Sequence, residues 1–369
     1  MRVLRVSERV PPQPGGKEIH VLELTRQQTA AGIHVTTFYR TGDGALLSGD
    51  AHQIRLPKPV RNVGGLAGPS IFSSLARQRM KSFEDFEVLH LHGDIAEAVA
   101  FGRAQKATGQ ATVLTVHGSL NSRYQGLSRI GFRGIDHFIA LGSTARAGLI
   151  RCGVSANRIT TMSSGLNFDL LLPAAAHAKR ETGLVVSVGS LIALKNHSST
   201  IQAVRMLTDT LDLRLEIIGS GALEEQLRHE AQGLENVSFL GQISREETYR
   251  RMAAASAFVI ASRRQSNAGE GVPTALLEAL AVGAPCVVSQ SASPASVVED
   301  QGAYVTFDPD SSSDLANKLG TVLADPRQGE RLSVRGRHSV SHLGWPDVAT
   351  RIGDVYESAL QSKNGGRVR

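Results

Sequence analysis

Short apolar runs alternate with longer amphipathic stretches along most of the chain. Residues 1–7 (MRVLRVS) read as a first strand, and the segment from Pro11 to Tyr39 as a loop, a helix and a second strand. Ile19, Leu22 and Leu24 mark the helix, and Gly32 stops it. FEVLHLHG and QATVLTVHGS are compact apolar runs bounded by turns, the pattern of strands buried on both faces of a parallel sheet. IDHFIALG and RITTMSSGLN continue the series, with the helical stretches IAEAVAFGRAQKATG and STARAGLIRCG interspersed. A second series opens at LVVSVGSL and runs through LRLEIIGSG, VSFLG, AFVIAS, APCVVS and AYVTF, again with helical stretches between. WPDVATRIGDVYESALQ reads as a closing amphipathic helix, and SKNGGRVR after it as a frayed end. This alternation predicts the α/β class, with two Rossmann-like domains. The first spans residues 1–172, with the helix 345–362 packing back on it. Residues 173–183 lack periodicity and read as a linker, and 184–343 form the second domain. No repeat of solenoid length interrupts the pattern. Ligands of such sheets bind beyond the carboxyl ends of the strands, so a cleft between two facing domains is the expected site.

A length of 369 residues fits two domains, and 41% hydrophobic with 20% charged residues is ordinary soluble composition. The N-terminus carries Arg2, Arg5 and Arg9 and no apolar h-region, so secretion is not expected. The longest apolar run, around 276–288, contains Glu278 and falls short of the roughly 20 residues that span a bilayer. Two cysteines, Cys152 and Cys286, are too few for a disulfide framework or a zinc site; they fit a reducing cytoplasm as packing thiols. Charge is unevenly placed. Residues 1–180 hold 22 Lys and Arg against 12 Asp and Glu, and the remainder 18 against 22. A basic first half fits an anionic partner such as a membrane surface or a lipid phosphate, or general surface solubility. Aromatic residues do not interleave the basic ones and no nucleic-acid motif occurs, so no nucleic-acid partner is expected.

The chemistry concentrates in GEGVPTALLEALAVGAPCVVS (269–289), where Glu270 and Glu278 stand eight positions apart in an apolar run. A loop leads from the strand AFVIAS to Pro273, which suits the first position of a helix over about 273–282 that ends near Gly283. The amides and partial positive charge of that helix start favour an anion such as a diphosphate, and Gly271 lets backbone approach it. Glu278 lies roughly 7–8 Å further along the axis, about the distance of a ribose from its distal phosphate. There it could accept from vicinal hydroxyls; by spacing alone it could equally pair with a nearby arginine. Lys195 follows a strand and a glycine turn and could neutralise diphosphate charge, or could be a solvated surface residue. Gly15 and Gly16 lie between the first strand and helix, either as a plain turn or as backbone open to a phosphate or sugar. His117 closes a strand at its carboxyl end. Two further motifs are set aside. GSGALE (219–224) has Glu224 where a dinucleotide fingerprint needs glycine, and DPDSSSD (308–314) precedes a helix as capping residues do, so no metal is expected.

Together these segments resemble the retaining, nucleotide-sugar-dependent glycosyltransferases of family 4, with GT-B architecture: two Rossmann-like domains facing a central cleft. The resemblance runs nearly end to end, through PPQPGGKEIHVLELTRQQTAAGIHV, LTVHGS, SSGLN, VGSLIALKNH, LEIIGSGALEEQL, NVSFLGQIS and EGVPTALLEALAVGAPCVVS. The last is the family's E-x7-E element. It implies that Glu270 contacts the donor sugar and Glu278 the ribose, that Gly271, Val272 and Pro273 meet the diphosphate, and that Leu240 lies on the strand facing the base. Lys195 matches one of the family's two basic positions on the diphosphate. The other is Ser190 rather than arginine, which leaves Arg263 or Arg264 as substitutes. The NGVD turn of the family is SGLN at 164–167. His117 matches the histidine near the reacting sugar, and Gly15 and Gly16 the first-domain loop.

The expected activity is transfer of a sugar from a nucleoside diphosphate sugar, UDP favoured over GDP, to a saccharide or lipid-linked acceptor in polysaccharide or lipopolysaccharide synthesis. The donor is a co-substrate and no cofactor is required. The expected place is the cytoplasm, at the inner face of the membrane, with peripheral contact through the basic first domain. Ser190 motivates a binding-only subunit as the alternative, and the fold admits a sugar-nucleotide epimerase.

Overall fold

The computed structural model describes residues 1–13, 15–58, 66–83, 85–102, 110–120, 125–264 and 271–365. They form two compact units, one of Met1–Gly165 with the chain from Trp345 onward, the other Leu166–Gly344.

Unit 1 runs β1 (Arg2–Arg9), α1 (Gly16–Ala30), β2 (His34–Thr41), β3 (Asp50–Gln53), α2 (Ala67–Met80), β4 (Val88–His92), α3 (Ile95–Gly102), β5 (Ala111–Val116), α4 (Gln125–Phe132), β6 (His137–Leu141), α5 (Ser143–Arg151) and β7 (Ile159–Met162). Its seven strands pair in the order β3-β2-β1-β4-β5-β6-β7, all parallel. β4 and β5 are buried along their whole length, as helices on both faces require.

Unit 2 runs α6 (Phe168–Ala176), β8 (Glu181–Val188), α7 (His197–Leu207), β9 (Arg214–Ile218), α8 (Glu224–Glu230), β10 (Val237–Gly241), α9 (Arg245–Ala254), β11 (Ala255–Ile260), α10 (Thr274–Val282), β12 (Cys286–Ser289), β13 (Tyr304–Phe307), α11 (Ser312–Ala324) and α12 (Pro326–Val340). Its six parallel strands pair in the order β10-β9-β8-β11-β12-β13.

The final helix, α13 (Trp345–Gly365), lies on the sheet of unit 1. Trp345, Val348, Ile352 and Tyr356 are buried against Val3, Leu24, Val113 and Ile139. Each large apolar side chain so buried contributes about 1.5–3 kcal/mol, which is what holds the helix there.

Two features differ from the sequence reading. Residues 173–183 are not a linker: they hold the end of α6, a short turn and the start of β8, and the chain enters unit 2 at Leu166. Asn167 caps α6, and Leu171 and Ala174 bury one face of it against unit 2's core, so the alanine-rich stretch is a helix despite Pro173. α1 buries His20, Val21, Leu24, Thr25 and Gln28, a face largely polar and offset from Ile19 and Leu22. No helix among the described residues is long and apolar enough to cross a membrane.

Candidate functional site: the carboxyl ends of two sheets

In each unit the strand order reverses once, between β1 and β4 in unit 1 and between β8 and β11 in unit 2. Loops leaving neighbouring strands in opposite directions there open a crevice at the carboxyl ends, where doubly wound sheets bind ligands. Most of the residues singled out from sequence fall at these two places.

In unit 2 the loop after β8 carries Gly189, Ser190 and Lys195. Gly219, leaving β9 at φ 138°, lies so close to it that a Cβ would sit 2.0 Å from the Gly189 carbonyl oxygen. Leu191 binds the same turn through its N–H to Ser220 O (2.9 Å) and its carbonyl to Leu223 N–H (2.9 Å), and Arg263 N–H donates to Leu194 O (2.9 Å). Backbone bonds therefore fix the segment that presents Lys195, whose half-buried stem runs over Gly189. Beneath it, His197 is buried with Nδ1 3.2 Å from Ser187 Oγ. Burial and the Lys195 charge depress this imidazole to about 4, so it stays neutral under the lysine. His197, the first residue of α7 after its left-handed N-cap Asn196, is a site neighbour absent from the sequence reading; its place two residues after Lys195 was the available signal.

Ser190 is exposed at the same turn. Arg263 is engaged by Asp310 (2.6 Å), and Arg264 is exposed. The 308–314 segment acts as a cap. Asp308 accepts from Asp310 N–H, Asp314 accepts from Asp308 N–H, and Ser311 Oγ caps α11.

The loop after β11 reaches α10, which spans Thr274–Val282 with Pro273 as N-cap and Gly283 closing it in the left-handed conformation. The Pro273 carbonyl takes the amides of Leu276 and Leu277. Pro273 supplies no side-chain cap, so among the described residues the first-turn amides stay open to an anion. Gly271 and Val272 flank that start, half-buried. Glu270 lies outside the described residues. One turn into the helix, the Glu278 side chain is 15% exposed. The Tyr249 hydroxyl donates to its Oε1 (2.8 Å), Arg245 Nη2 is 3.7 Å from the same oxygen, and Arg245 Nε donates to Tyr249 (3.0 Å). Of the two readings that spacing left open, the arginine pairing is thus present, through a tyrosine that also orients the carboxylate. Burial raises the Glu278 pKa, against the pull of Arg245 and Tyr249. On the edge strand β10, the register with β9 jumps between Phe239 and Gly241, so Leu240 opposes no residue of β9. Such a bulge leaves backbone groups outside the ladder.

In unit 1, Gly15 caps α1 at φ 149°, and a Cβ there would lie 2.2 Å from Glu18 Oε2, a carboxylate held by Arg9 at 2.8 Å. Gly16 begins the helix, exposed like Gly15. Beside them, at the start of α3, Glu97 Oε2 accepts from Asp94 N–H (3.0 Å) and the Asp94 carboxylate accepts from Ile95 N–H. Burial and the Asp94 charge raise Glu97 to about 7, with Lys17 opposing. His117 follows β5 and is not solitary. His92 Nδ1 is 3.2 Å from its Nε2, the His20 ring stands edge-on at 5.1 Å, and the His90 ring meets that of His92 tilted, centroids 4.1 Å apart. Burial, aided by His20, Lys17 and His90, drives the His117 pKa well below the ordinary imidazole value.

Residues 14–170 match the model of "Glycosyltransferase Family 4" and residues 173–339 that of "Glycosyl transferases group 1", one over each half of the chain. The chain belongs to the family 4 glycosyltransferases. A phosphatidyl-myo-inositol mannosyltransferase of Mycobacterium leprae is 28% identical over 368 residues, covering 95% of this chain and 94% of its own. A GDP-mannose-dependent alpha-(1-6)-phosphatidylinositol monomannoside mannosyltransferase of Mycobacterium tuberculosis is 24% identical, covering 96% and 97%. Among solved structures, sucrose-phosphate synthase from Thermosynechococcus elongatus superimposes with a TM-score of 0.80 at 20% identity, over 98% of this chain and 99% of that one. The two parallel-sheet units are thus the GT-B fold, and the enzyme is a glycosyltransferase.

Proposed function

We propose that this glycosyltransferase moves mannose from GDP-mannose, with retention of configuration, to a hydroxyl of a lipid-linked acceptor of phosphoinositide type. The reaction class is carried by one juxtaposition: Lys195 and the uncapped start of α10 follow β8 and β11, the two strands that flank unit 2's switch point. A cation and a helix dipole there favour the diphosphate as it departs. Glu278, oriented by Tyr249, takes the ribose hydroxyls, and the unpaired backbone at Leu240 the base. Gly15, Gly16 and His117 belong to the sugar and acceptor side, and Glu270 to the donor sugar. The choice of donor rests on the relatives: the sequence reading favours UDP, whereas the M. tuberculosis relative is named for GDP-mannose. Retention follows the family resemblance.

A thermal-shift series with GDP, GDP-mannose, UDP, UDP-glucose and ADP tests the donor. GDP or GDP-mannose at a hundred times its Kd is expected to stabilise the fold by about 2.7 kcal/mol. A shift confined to uridine nucleotides overturns the base assignment. Consumption of GDP-mannose with a mannosylated lipid product excludes both the binding-only subunit that Ser190 suggests and an epimerase.

The same reading gives the basic unit a membrane-facing surface. α4 exposes Leu127, Arg129 and Ile130, with Arg133 exposed just after it; α3, which packs against it, exposes Val99, and α5 ends on exposed Ile150 and Arg151. Arg129 reaches the Arg151 carbonyl oxygen at 3.5 Å. Apolar side chains among arginines suit an interfacial seat on anionic lipid, each basic residue adding about 1 kcal/mol near such a surface. Binding to phosphatidylinositol vesicles should weaken as salt rises and fall in Leu127→Asp/Ile130→Asp, with GDP binding retained. Salt-independent binding, or none, removes this surface from the account.

A further inference from the structure

The histidines around His117 form an ordered chain. His90 and His92 alternate along β4, and Thr115 and His117 continue the same alternation on and beyond β5, so the four project to one face of the sheet. α1 covers that face with His20, and Arg5 of β1 enters it fully buried, binding Thr25 and Gln28. At the far end stands Tyr356 of α13. Its hydroxyl accepts from Gln28 Nε2 (3.3 Å) and from Arg5, so its single proton goes to His90 Nδ1 (2.6 Å). His90 therefore carries its own proton on Nε2, pointed at Thr115 Oγ1 (2.7 Å).

His92 is next. Burial, with the charges of His90 and Arg5, keeps it neutral, so it holds one ring proton. Its Nε2 is buried with no hydrogen-bond partner among the described residues, while Nδ1 faces His117 Nε2 at 3.2 Å. A proton on Nε2 would leave an orphaned buried N–H, rarer in folded proteins than an unmatched acceptor, and would leave two bare lone pairs facing each other if His117 were protonated on Nδ1. Placing it on Nδ1 makes one hydrogen bond and leaves only a lone pair unmatched.

We infer that His92 is a positioning residue: it donates Nδ1–H to His117 Nε2 and so fixes His117 in the neutral Nδ1–H tautomer. His117 then meets a ligand oxygen as a hydrogen-bond donor and not as a base. The tautomer stands on unit 1 alone; its effect on turnover rests on the proposed contact of His117 with the reacting sugar. Which ring nitrogen carries the proton is set by the bond the other makes, and His92 supplies that bond.

Long-range 1H–15N correlation spectra of the full chain labelled on histidine nitrogen read the tautomer directly, with His117→Phe assigning the signals. The unaltered, ligand-free protein is expected to show His117 protonated at Nδ1 and bare at Nε2. His92→Leu should shift His117 to the Nε2–H form and lower kcat about tenfold, in the range found when a partner orienting an imidazole is removed, with little change in donor KM. His92→Asn places an N–H near the position of Nδ1 and should restore the tautomer and most of the turnover. An Nε2–H signal for His117 in the unaltered protein, or one insensitive to His92→Leu, overturns the inference. The expected tautomers with unchanged kcat uphold the positioning and instead refute the contact of His117 with the sugar.

Discussion

Lys195→Ala is expected to lower kcat with GDP-mannose by about 10²–10³, the range lost when one preorganised group facing developing charge is deleted. On the proposed reading, departure of the nucleoside diphosphate places negative charge on oxygens that Lys195 and the α10 amides would meet. Among the described residues of these two loops, Arg264 is the one further candidate cation, exposed on the loop after β11. Position 190 is an exposed serine, and Arg263 is engaged by Asp310. The double variant Lys195→Ala/Arg264→Ala should then lose more than Lys195→Ala, by whatever share Arg264 carries. Neutral His197 beneath the lysine adds no charge of its own. Because the side chain is only half-buried, the fold should change by no more than about 0.5 kcal/mol, as at surface positions generally. Single-turnover rates at saturating donor, beside a melting curve, check both halves. A kcat within threefold of the unaltered enzyme would remove Lys195 from the chemistry.

The architecture was legible because parallel strands buried on both faces write themselves as apolar runs. VLHLH and ATVLTV read as strands from composition alone, and α10 was placed to within one residue by Pro273 and Gly283. The stretch 173–183 misled because alanine and proline carry little periodicity, while the burial that makes α6 a helix comes from distant α9 and α10. α1 was harder still. Its buried face carries His20, Thr25 and Gln28, polar residues satisfied by Ser164, Arg5 and Tyr356 from elsewhere in the chain. Hydrophobic periodicity cannot register a face whose complement lies 144 or 328 positions away. The same holds for the site. Lys195, Ser190, Gly271 and Glu278 could be named from local context, but Tyr249 and Arg245, which hold Glu278, sit on another helix that no local motif connects to it. His117 was visible singly; the alternation HLH on β4 was the trace of its companions.

Glu278→Gln should separate binding from stability in opposite directions. Burial raises this carboxyl's pKa in the folded protein. A group so shifted favours the fold below its unfolded pKa, and that advantage is lost as pH rises through the folded value. At neutral pH the carboxylate is thus carried at a cost. Glutamine keeps the oxygen that accepts from Tyr249 and removes the charge, so ligand-free melting should be unchanged or higher at pH 7. Any gain should shrink as pH falls through the carboxylate range, where the native glutamate becomes protonated. Nucleotide binding should move the other way. Hydrogen bonds from ribose hydroxyls to a carboxylate contribute about 1.5–3 kcal/mol, against about 1 for a neutral acceptor. Calorimetric Kd for GDP should accordingly weaken about tenfold, and the loss should vanish for a 2′,3′-dideoxy nucleotide. A Glu278→Gln protein that melts lower and binds GDP as before would make the Arg245–Tyr249–Glu278 group a structural tie alone. The proposed diphosphate cradle would then stand without its ribose anchor, because that proposal has Lys195 and the start of α10 act on a different part of the ligand.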